Sequence, residues 1–153
     1  MDLDQILPQL YVGSCPKDTA EIVRLRRDYG ITAVLNLQTD DDFRFWHIDG
    51  EQLESQYRSL GIEIRRVPVQ DFHPDDLRRK LPECVQTLDR LLGEGHKVFV
   101  HCNAGINRSP TTVIAYLHWC LGWDLEEALR HVTNRRRCDP YIDAIRQATE
   151  ESQ

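Results

Sequence analysis

Cys102 and Arg108, in the stretch KVFVHCNAGINRSPT from Lys97 to Thr111, pair a nucleophilic sulfur with a planar cation across a short polar loop. A cysteine attacks as its thiolate, and helix N-termini and nearby arginines lower thiol pKa values from about 8.5 into a range of roughly 3.5 to 7.5. Arg108 brings such a charge, and its guanidinium fork can grip two oxygens of one phosphate group. Between the two lie Asn103, Ala104, Gly105, Ile106 and Asn107. Successive backbone N–H groups of such a loop, with the N-terminus of the helix that follows, make an anion-binding nest. The stretch therefore reads as a phosphate cradle with a thiolate inside. A chance match to His-Cys-x-x-Gly-x-x-Arg-Ser in a chain of 153 residues is on the order of one in ten thousand or rarer. A buried, inert cysteine after a core strand would account for Cys102 but leave Gly105, Arg108 and the helix-starting residues without a reason.

A phosphate ester that loses its alcohol needs a proton on the leaving oxygen, and a carboxylic acid on a neighbouring loop can supply it. Gln70 to Asp76, QDFHPDD, offers Asp71, Asp75 and Asp76. Asp75 and Asp76 suit the first turn of the next helix, where the dipole favours negative charge. Asp71 lies at the strand end and is the candidate acid. His101 is expected to orient the loop from a buried position rather than to transfer protons. Ser109 has two open readings, a hydrogen bond to the Cys102 sulfur that helps it leave and a simple helix cap. Arg135, Arg136 and Arg137 read first as a solvated helix end and second as a rim for anionic substrates. Cys15, Cys84, Cys102, Cys120 and Cys138 are scattered, with no CxxC spacing, so neither a disulfide framework nor a zinc site is indicated. No metal or other cofactor is expected.

Positioning this cradle requires a sheet edge. Val98, Phe99 and Val100 are a short apolar run of the kind a buried parallel strand shows, which sets His101 and Cys102 at its C-terminal end, where open α/β sheets bind ligands. Ser109-Pro110-Thr111-Thr112 supplies cap-type side chains and a first-turn proline for a helix over 108–121, stopped by Gly122. Upstream, ILPQLYVGS predicts an edge hairpin or first strand broken by Pro8 and ended by Gly13. Asp18 with Glu21 forms a capping box for a helix bearing Ile22, Leu25 and Tyr29 and ending at Gly30. Strands follow at 31–38 and 62–69, with an acidic turn at Thr39 to Asp42, the aromatics Phe43, Phe45 and Trp46, and a helix from Gly50 to Leu60 between them. A long helix is predicted from Leu77 to about Leu92, with Leu81, Val85, Leu88 and Leu92 on one face and Pro82 marking a kink or the true start. Asp124 and Glu127 open another helix, and the last starts near Pro140 with Ile142, Ile145 and Ala148. The alternation of strands and helices predicts an α/β fold with a central, mostly parallel sheet flanked by helices.

Composition sets outer bounds. The chain is one domain long, 41% hydrophobic and 29% charged, an ordinary globular balance. A net charge of -6 argues against broad nucleic-acid or anionic-membrane binding while leaving room for a local basic pocket. No apolar run approaches the roughly 20 residues of a membrane span, and MDLDQILPQL lacks the basic and apolar regions of a signal peptide. A cytoplasmic monomer is expected, with a plastid as the alternative if a transit peptide has been removed.

The cradle resembles the signature of the cysteine-dependent protein tyrosine phosphatases, in particular their small dual-specificity branch. That resemblance implies the corresponding phosphatase fold over 1–153 as a single catalytic domain, a nucleophile at Cys102, a phosphate-binding arginine at Arg108 and phosphate-binding amides from Asn103 to Arg108. In this family the acid loop precedes the cysteine by about thirty residues, as Asp71 does here. The implied reaction passes through a phosphocysteine that water resolves. LYVGSCPKD, LNLQTD with its following aromatics, QDFHPDDLRRKLP and RRRCDPYIDAIRQAT further resemble segments of the plant starch-excess glucan phosphatases, in the same order and over nearly the whole chain. In those enzymes aromatic loops line a glucan channel, which points to Phe45, Trp46 and Phe72 as substrate-binding residues and to phosphorylated glucan as substrate. Three positions depart from that subfamily. Asn107 replaces Gly, Ser109 replaces Ala, and Asp139 replaces an apolar or aromatic residue. The first two make the cradle resemble that of protein-directed enzymes, so a phosphoprotein is the alternative substrate. A catalytically silent phosphate-binding module is a further alternative, against which the intact Cys102, Arg108 and Asp71 set argues.

Overall fold

The protein is described by a computed structural model covering residues 1–152; Gln153, part of the expected domain, lies outside the described residues. Strands β1 (Leu3–Leu7), β2 (Leu10–Gly13), β3 (Ala33–Asn36), β4 (Glu63–Arg66) and β5 (Val98–His101) form one sheet in the order β1-β2-β5-β3-β4. Only the β1–β2 pair is antiparallel, joined by a turn at Pro8 and Gln9; the others run parallel. The sheet is therefore mostly parallel, as the strand and helix alternation predicts.

Both faces of the sheet are covered, and the period of two along each strand divides side chains between two cores. Val98 and Val100 of β5, Ala33 and Leu35 of β3, and Leu10 and Val12 of β2 enter one core. It is closed by α4 (Pro74–Gly93), α5 (Arg108–Trp119), α6 (Leu125–Arg135) and α7 (Ile142–Glu151). Phe99, Val34 and Tyr11 enter the other, under α1 (Thr19–Arg27), α2 (Asp40–Phe45) and α3 (Gly50–Ser59). Each fully buried Val, Leu, Ile or Phe contributes on the order of 1.5–3 kcal/mol.

Register fixes where the loops meet. Gly13 and Asn36 both pair with His101, and Asn36 also pairs with Arg66, so β2, β5, β3 and β4 end level with one another. The segments after all four strands consequently converge on one edge. That edge carries Cys102, Thr39 to Asp42, and Asp71.

Several boundaries differ from those read in the sequence, each for a local reason. Thr39 to Asp42 is the cap and first turn of α2: Thr39 and Asp42 exchange side-chain and backbone hydrogen bonds in a complete capping box. Asp18 does cap α1, but Glu21 does not complete a box; its carboxylate accepts from the Lys17 N–H instead. Helix α4 starts at Pro74, capped by the His73 ring, so Pro82 lies inside it and is not its start. Helix α5 ends at Trp119 rather than Leu121, and β3 and β4 are each shorter than the apolar runs that contain them.

Candidate active site

Cys102 follows β5 directly and is almost wholly buried, packed with the core beneath α4–α7. Its Sγ lies 3.3 Å from Ser109 Oγ, which also lies 3.4 Å from the Gly13 carbonyl. Ser109 does not cap α5, because the N-cap position belongs to Asn107. The cap reading of Ser109 is thereby corrected, and its hydroxyl faces the sulfur. Asn107 makes no capping bond either; its Nδ2 donates to the Asp139 carbonyl at 2.9 Å. Gly105 has φ +70, and a Cβ there would stand 2.4 Å from both Arg136 Nη2 and the Gly13 carbonyl carbon. Glycine is required at the turn of this loop for conformation and for space.

His101 is fully buried, stacked on Phe99 with centroids 5.4 Å apart, and its Nδ1 donates to the Cys102 carbonyl at 3.1 Å. Burial drives its pKa down to about 4, outweighing the hydrogen bond to Cys102, so the ring is neutral at pH 7. A neutral, buried ring bonded to the loop backbone matches an orienting position.

Arg108 opens α5 and is 1% exposed. Its Nη1 donates to Asp42 Oδ2 at 2.8 Å and to the Val69 carbonyl at 2.7 Å. Its Nη2 lies 3.4 Å from Asp71 Oδ2 without hydrogen-bond alignment, and Nε and Nη2 have no hydrogen-bond partner. Asp42 is the functional residue that the sequence reading missed. Its Oδ1 accepts from Asn103 Nδ2 at 2.9 Å, and Asn103 Oδ1 accepts from Gln38 Nε2 at 2.9 Å. Burial alone would raise the Asp42 carboxyl; the hydrogen bonds from Arg108, Thr39 and Asn103, with the Arg108 charge, prevail and hold it below the usual carboxylate range. The available signal was Thr39-x-x-Asp42 ahead of Phe43, a helix start with Asp in place of Glu.

Asp71 stands beside Arg108 at this sheet edge, and its Oδ1 accepts from the Phe72 N–H at 3.1 Å. Asp76 is committed elsewhere. It accepts from the Gln70 N–H at 2.8 Å and pairs with Arg79 and Lys80, and these bonds overcome its burial to lower its pKa. Asp75 is exposed and pairs with Arg78. Both serve the start of α4, and Asp76 also latches the loop that carries Asp71.

Phe45, Trp46 and Phe72 are 74%, 39% and 86% exposed, so none fills the core, whereas neighbouring Phe43 does. Phe45 and Trp46 meet edge to face at 5.2 Å, and Lys17 Nζ lies 4.7 Å from the Trp46 ring centre. Phe72 is held at φ +56, a left-handed backbone that projects its ring from the acid loop. Ile106 adds a further exposed apolar side chain on the cradle loop itself.

Arg136 was also misread. Arg135 and Arg137 are solvated, but Arg136 is 5% exposed. It donates to the Gly105 and Ala104 carbonyls at 2.7 and 3.0 Å, and pairs with Asp2 at 2.6 Å and Asp4 at 3.0 Å. Neither a solvated helix end nor a substrate rim describes it.

A buried cysteine, a loop wrapped around it and a half-satisfied arginine at the C-terminal edge of a parallel sheet define the oxyanion site of cysteine-dependent phosphatases. Residues 10–150 match the dual specificity phosphatase catalytic domain, and the chain belongs to that family. It is 40% identical over 149 residues to the Arabidopsis thaliana phosphoglucan phosphatase LSF1, chloroplastic, covering 97% of this chain and 25% of that protein. Against mouse laforin it is 32% identical over 163 residues, covering 99% of this chain and 49% of laforin. The chain thus spans a quarter to a half of the length of these relatives. Among solved structures, Tk-PTP in its active form superposes with a TM-score of 0.78 at 24% identity, over 97% of this chain and 94% of that one, a likeness of fold.

Proposed function

We propose that this chain hydrolyses phosphomonoesters through a phosphocysteine, with phosphorylated glucan as its substrate. The observation that carries the chemistry is Arg108, a buried cation with Nη1 pinned and Nε and Nη2 left without hydrogen-bond partners. Unpaired buried donors are costly, and two phosphate oxygens would satisfy both at once. The Cys102 thiolate attacks phosphorus as the bond to the leaving oxygen breaks, and the Asp71 carboxylic acid gives that oxygen its proton. The resulting Asp71 carboxylate then takes a proton from water, whose oxygen attacks phosphorus and expels the Cys102 thiolate. Ser109 donates a hydrogen bond to the departing sulfur. Amides of Asn103 to Arg108 and the Arg108 fork meet the charge on the equatorial oxygens, the kind of preorganised stabilisation that usually supplies the largest rate term.

Phosphoglucan is favoured because sugar rings present apolar faces, and Phe45 at the end of α2, Trp46 at its C-cap and Phe72 on the segment before α4 stand exposed on parts of the chain that leave the same sheet edge as the cradle. The phosphoglucan phosphatase name of the Arabidopsis relative supports the same reading. We read residues 1–153 as one catalytic domain acting as a monomer. No helix among the described residues is long and apolar enough to cross a membrane. The expected cytoplasmic location has a plastid as its alternative, given the chloroplastic relative.

The test is a side-by-side comparison of an aryl phosphate, phosphopeptides and phosphorylated glucan, with wild type and Cys102→Ser. Wild type is expected to turn over the aryl phosphate and the glucan, in chelator as in buffer, and Cys102→Ser neither. Turnover of phosphotyrosyl or phosphothreonyl peptides with phosphoglucan inert would move the assignment to phosphoproteins, the direction in which Asn107 and Ser109 point. Full activity in Cys102→Ser would remove the nucleophile.

A further inference from the structure

We propose that Arg136 is a positioning residue for phosphate binding, holding the cradle carbonyls outward so that the following amides face the anion. The inference rests on the phosphatase reading and adds to it a residue remote in sequence from the cradle, with its two acidic partners.

In a trans peptide the carbonyl of one residue and the N–H of the next point in opposite directions. Four consecutive cradle carbonyls are each held by a donor outside the loop. The Asn103 carbonyl accepts from the Cys15 N–H at 2.9 Å, and the Ile106 carbonyl from the Asp139 N–H at 2.7 Å. The two between them, Ala104 and Gly105, both accept from Arg136. Fixing these four turns the N–H groups of Ala104, Gly105, Ile106 and Asn107 the other way, into the cradle. Backbone donors fix the ends of the loop. A side chain fixes its middle, where Gly105, left-handed and without a Cβ, is the residue whose backbone is least constrained by its own side chain.

Arg136 is itself over-determined. Nε serves Gly105, Nη1 serves Asp4, and Nη2 divides its two hydrogens between Asp2 and Ala104. The planar fork reaches all four acceptors at once, which a lysine cannot do. Asp2 and Asp4 compensate the buried charge and aim it. They come from the β1 end of the sheet, outside the residues 10–150 that match the family. Strand β1 is thereby tied to phosphate binding although it contributes no atom to the cradle.

The experiment compares wild type, Arg136→Met and Asp4→Asn, each checked for folded fraction by urea unfolding. It reads kcat/KM for an aryl phosphate and the inhibition constant of inorganic phosphate. A misplacement of about 1 Å can cost roughly a hundredfold in rate, so Arg136→Met is expected to lose about that much kcat/KM per folded molecule. The phosphate inhibition constant should rise with it, and Asp4→Asn should move both in the same direction by less. A residue that only stabilises the fold would lower the urea midpoint and leave both constants, per folded molecule, within twofold of wild type; that result overturns the proposal. If Arg136→Met does not fold, Asp4→Asn, which keeps the guanidinium and weakens one anchor, decides by the same criterion. Wild type that neither cleaves aryl phosphate nor is inhibited by phosphate would overturn the phosphatase reading itself, an outcome distinguishable from the first.

Discussion

Replacing Asp42 by Asn keeps the shape of the side chain and removes its charge, which isolates what that carboxylate does for Arg108. The pair is buried, with Arg108 Nη1 and Asp42 Oδ2 2.8 Å apart and the arginine 1% exposed. Removing one partner of a buried pair costs about 3–5 kcal/mol because the other charge is left uncompensated. Asn retains one acceptor for Nη1, and Val69 still accepts from the same nitrogen, so a cost below that range, about 2–3 kcal/mol, is expected. For a chain of this size each kcal/mol lowers Tm by roughly 2–4 °C, giving a fall of about 5–10 °C. The pH dependence has a definite sign. Asp42 has a lowered folded-state pKa, so its stabilisation is fully present above the ordinary carboxylate value of about 3.9 and is lost as pH falls through the lower folded value. The gap in Tm should hold from pH 5 to 8 and shrink below about pH 4. Freed from one anchor, the Arg108 fork loses its fixed tilt, and kcat/KM on an aryl phosphate should fall roughly ten- to a hundredfold. A rival expectation is available: a carboxylate this near the cradle repels the phosphate dianion, so its loss should help. Thermal unfolding and steady-state kinetics separate the two, and a rise in kcat/KM at unchanged Tm would refute the positioning argument.

Asp71→Asn should slow alkyl phosphate turnover by about a hundred- to ten-thousandfold and an aryl phosphate with a good leaving group much less; equal losses on both in a leaving-group series would count against the acid assignment. Trp46→Ala should weaken action on phosphoglucan by roughly two- to tenfold through lost stacking, leaving a small aryl phosphate nearly untouched. If both rates fell together, Trp46 would be a packing residue of α2.

What the sequence made legible was local. Strand β5, the loop and the start of α5 are continuous in the chain, so Cys102, Gly105 and Arg108 carry their own context. Asp71 was found one step further out, by the rule that parallel strands present their C-terminal ends to a common crevice. Asp42 was hidden in an acidic run, Asp40-Asp41-Asp42, whose three carboxylates differ only in their helical phase. The same holds for Arg135, Arg136 and Arg137. Yet Ala128 and Val132 are buried on α6, and Arg136 follows Val132 by the same interval of four. Helical periodicity thus carried a signal for which of the three arginines turns inward. Its partners Asp2 and Asp4 carried none, since only the folded sheet brings the first strand beside the last turns of α6.

Two buried arginines at one site raise the question of which meets the ligand, and their hydrogen bonding answers it. Taking a guanidinium out of water costs several kcal/mol, and each is compensated by a pair of carboxylates, Asp42 and Asp71 for Arg108, Asp2 and Asp4 for Arg136. Arg136 has each nitrogen engaged, two of its bonds being to the backbone it braces, and so has no direction left in which to receive a phosphate. Arg108 has one nitrogen tied and an edge left over. Its second carboxylate, Asp71, is near but unaligned, so only the attraction of charges draws it to that edge, and the protonated acid of the proposed reaction would lack that attraction. In the proposed reaction the acid form that donates the proton would therefore also be the form that leaves Arg108 free for the phosphate, coupling the two requirements of that reaction in one pair of side chains.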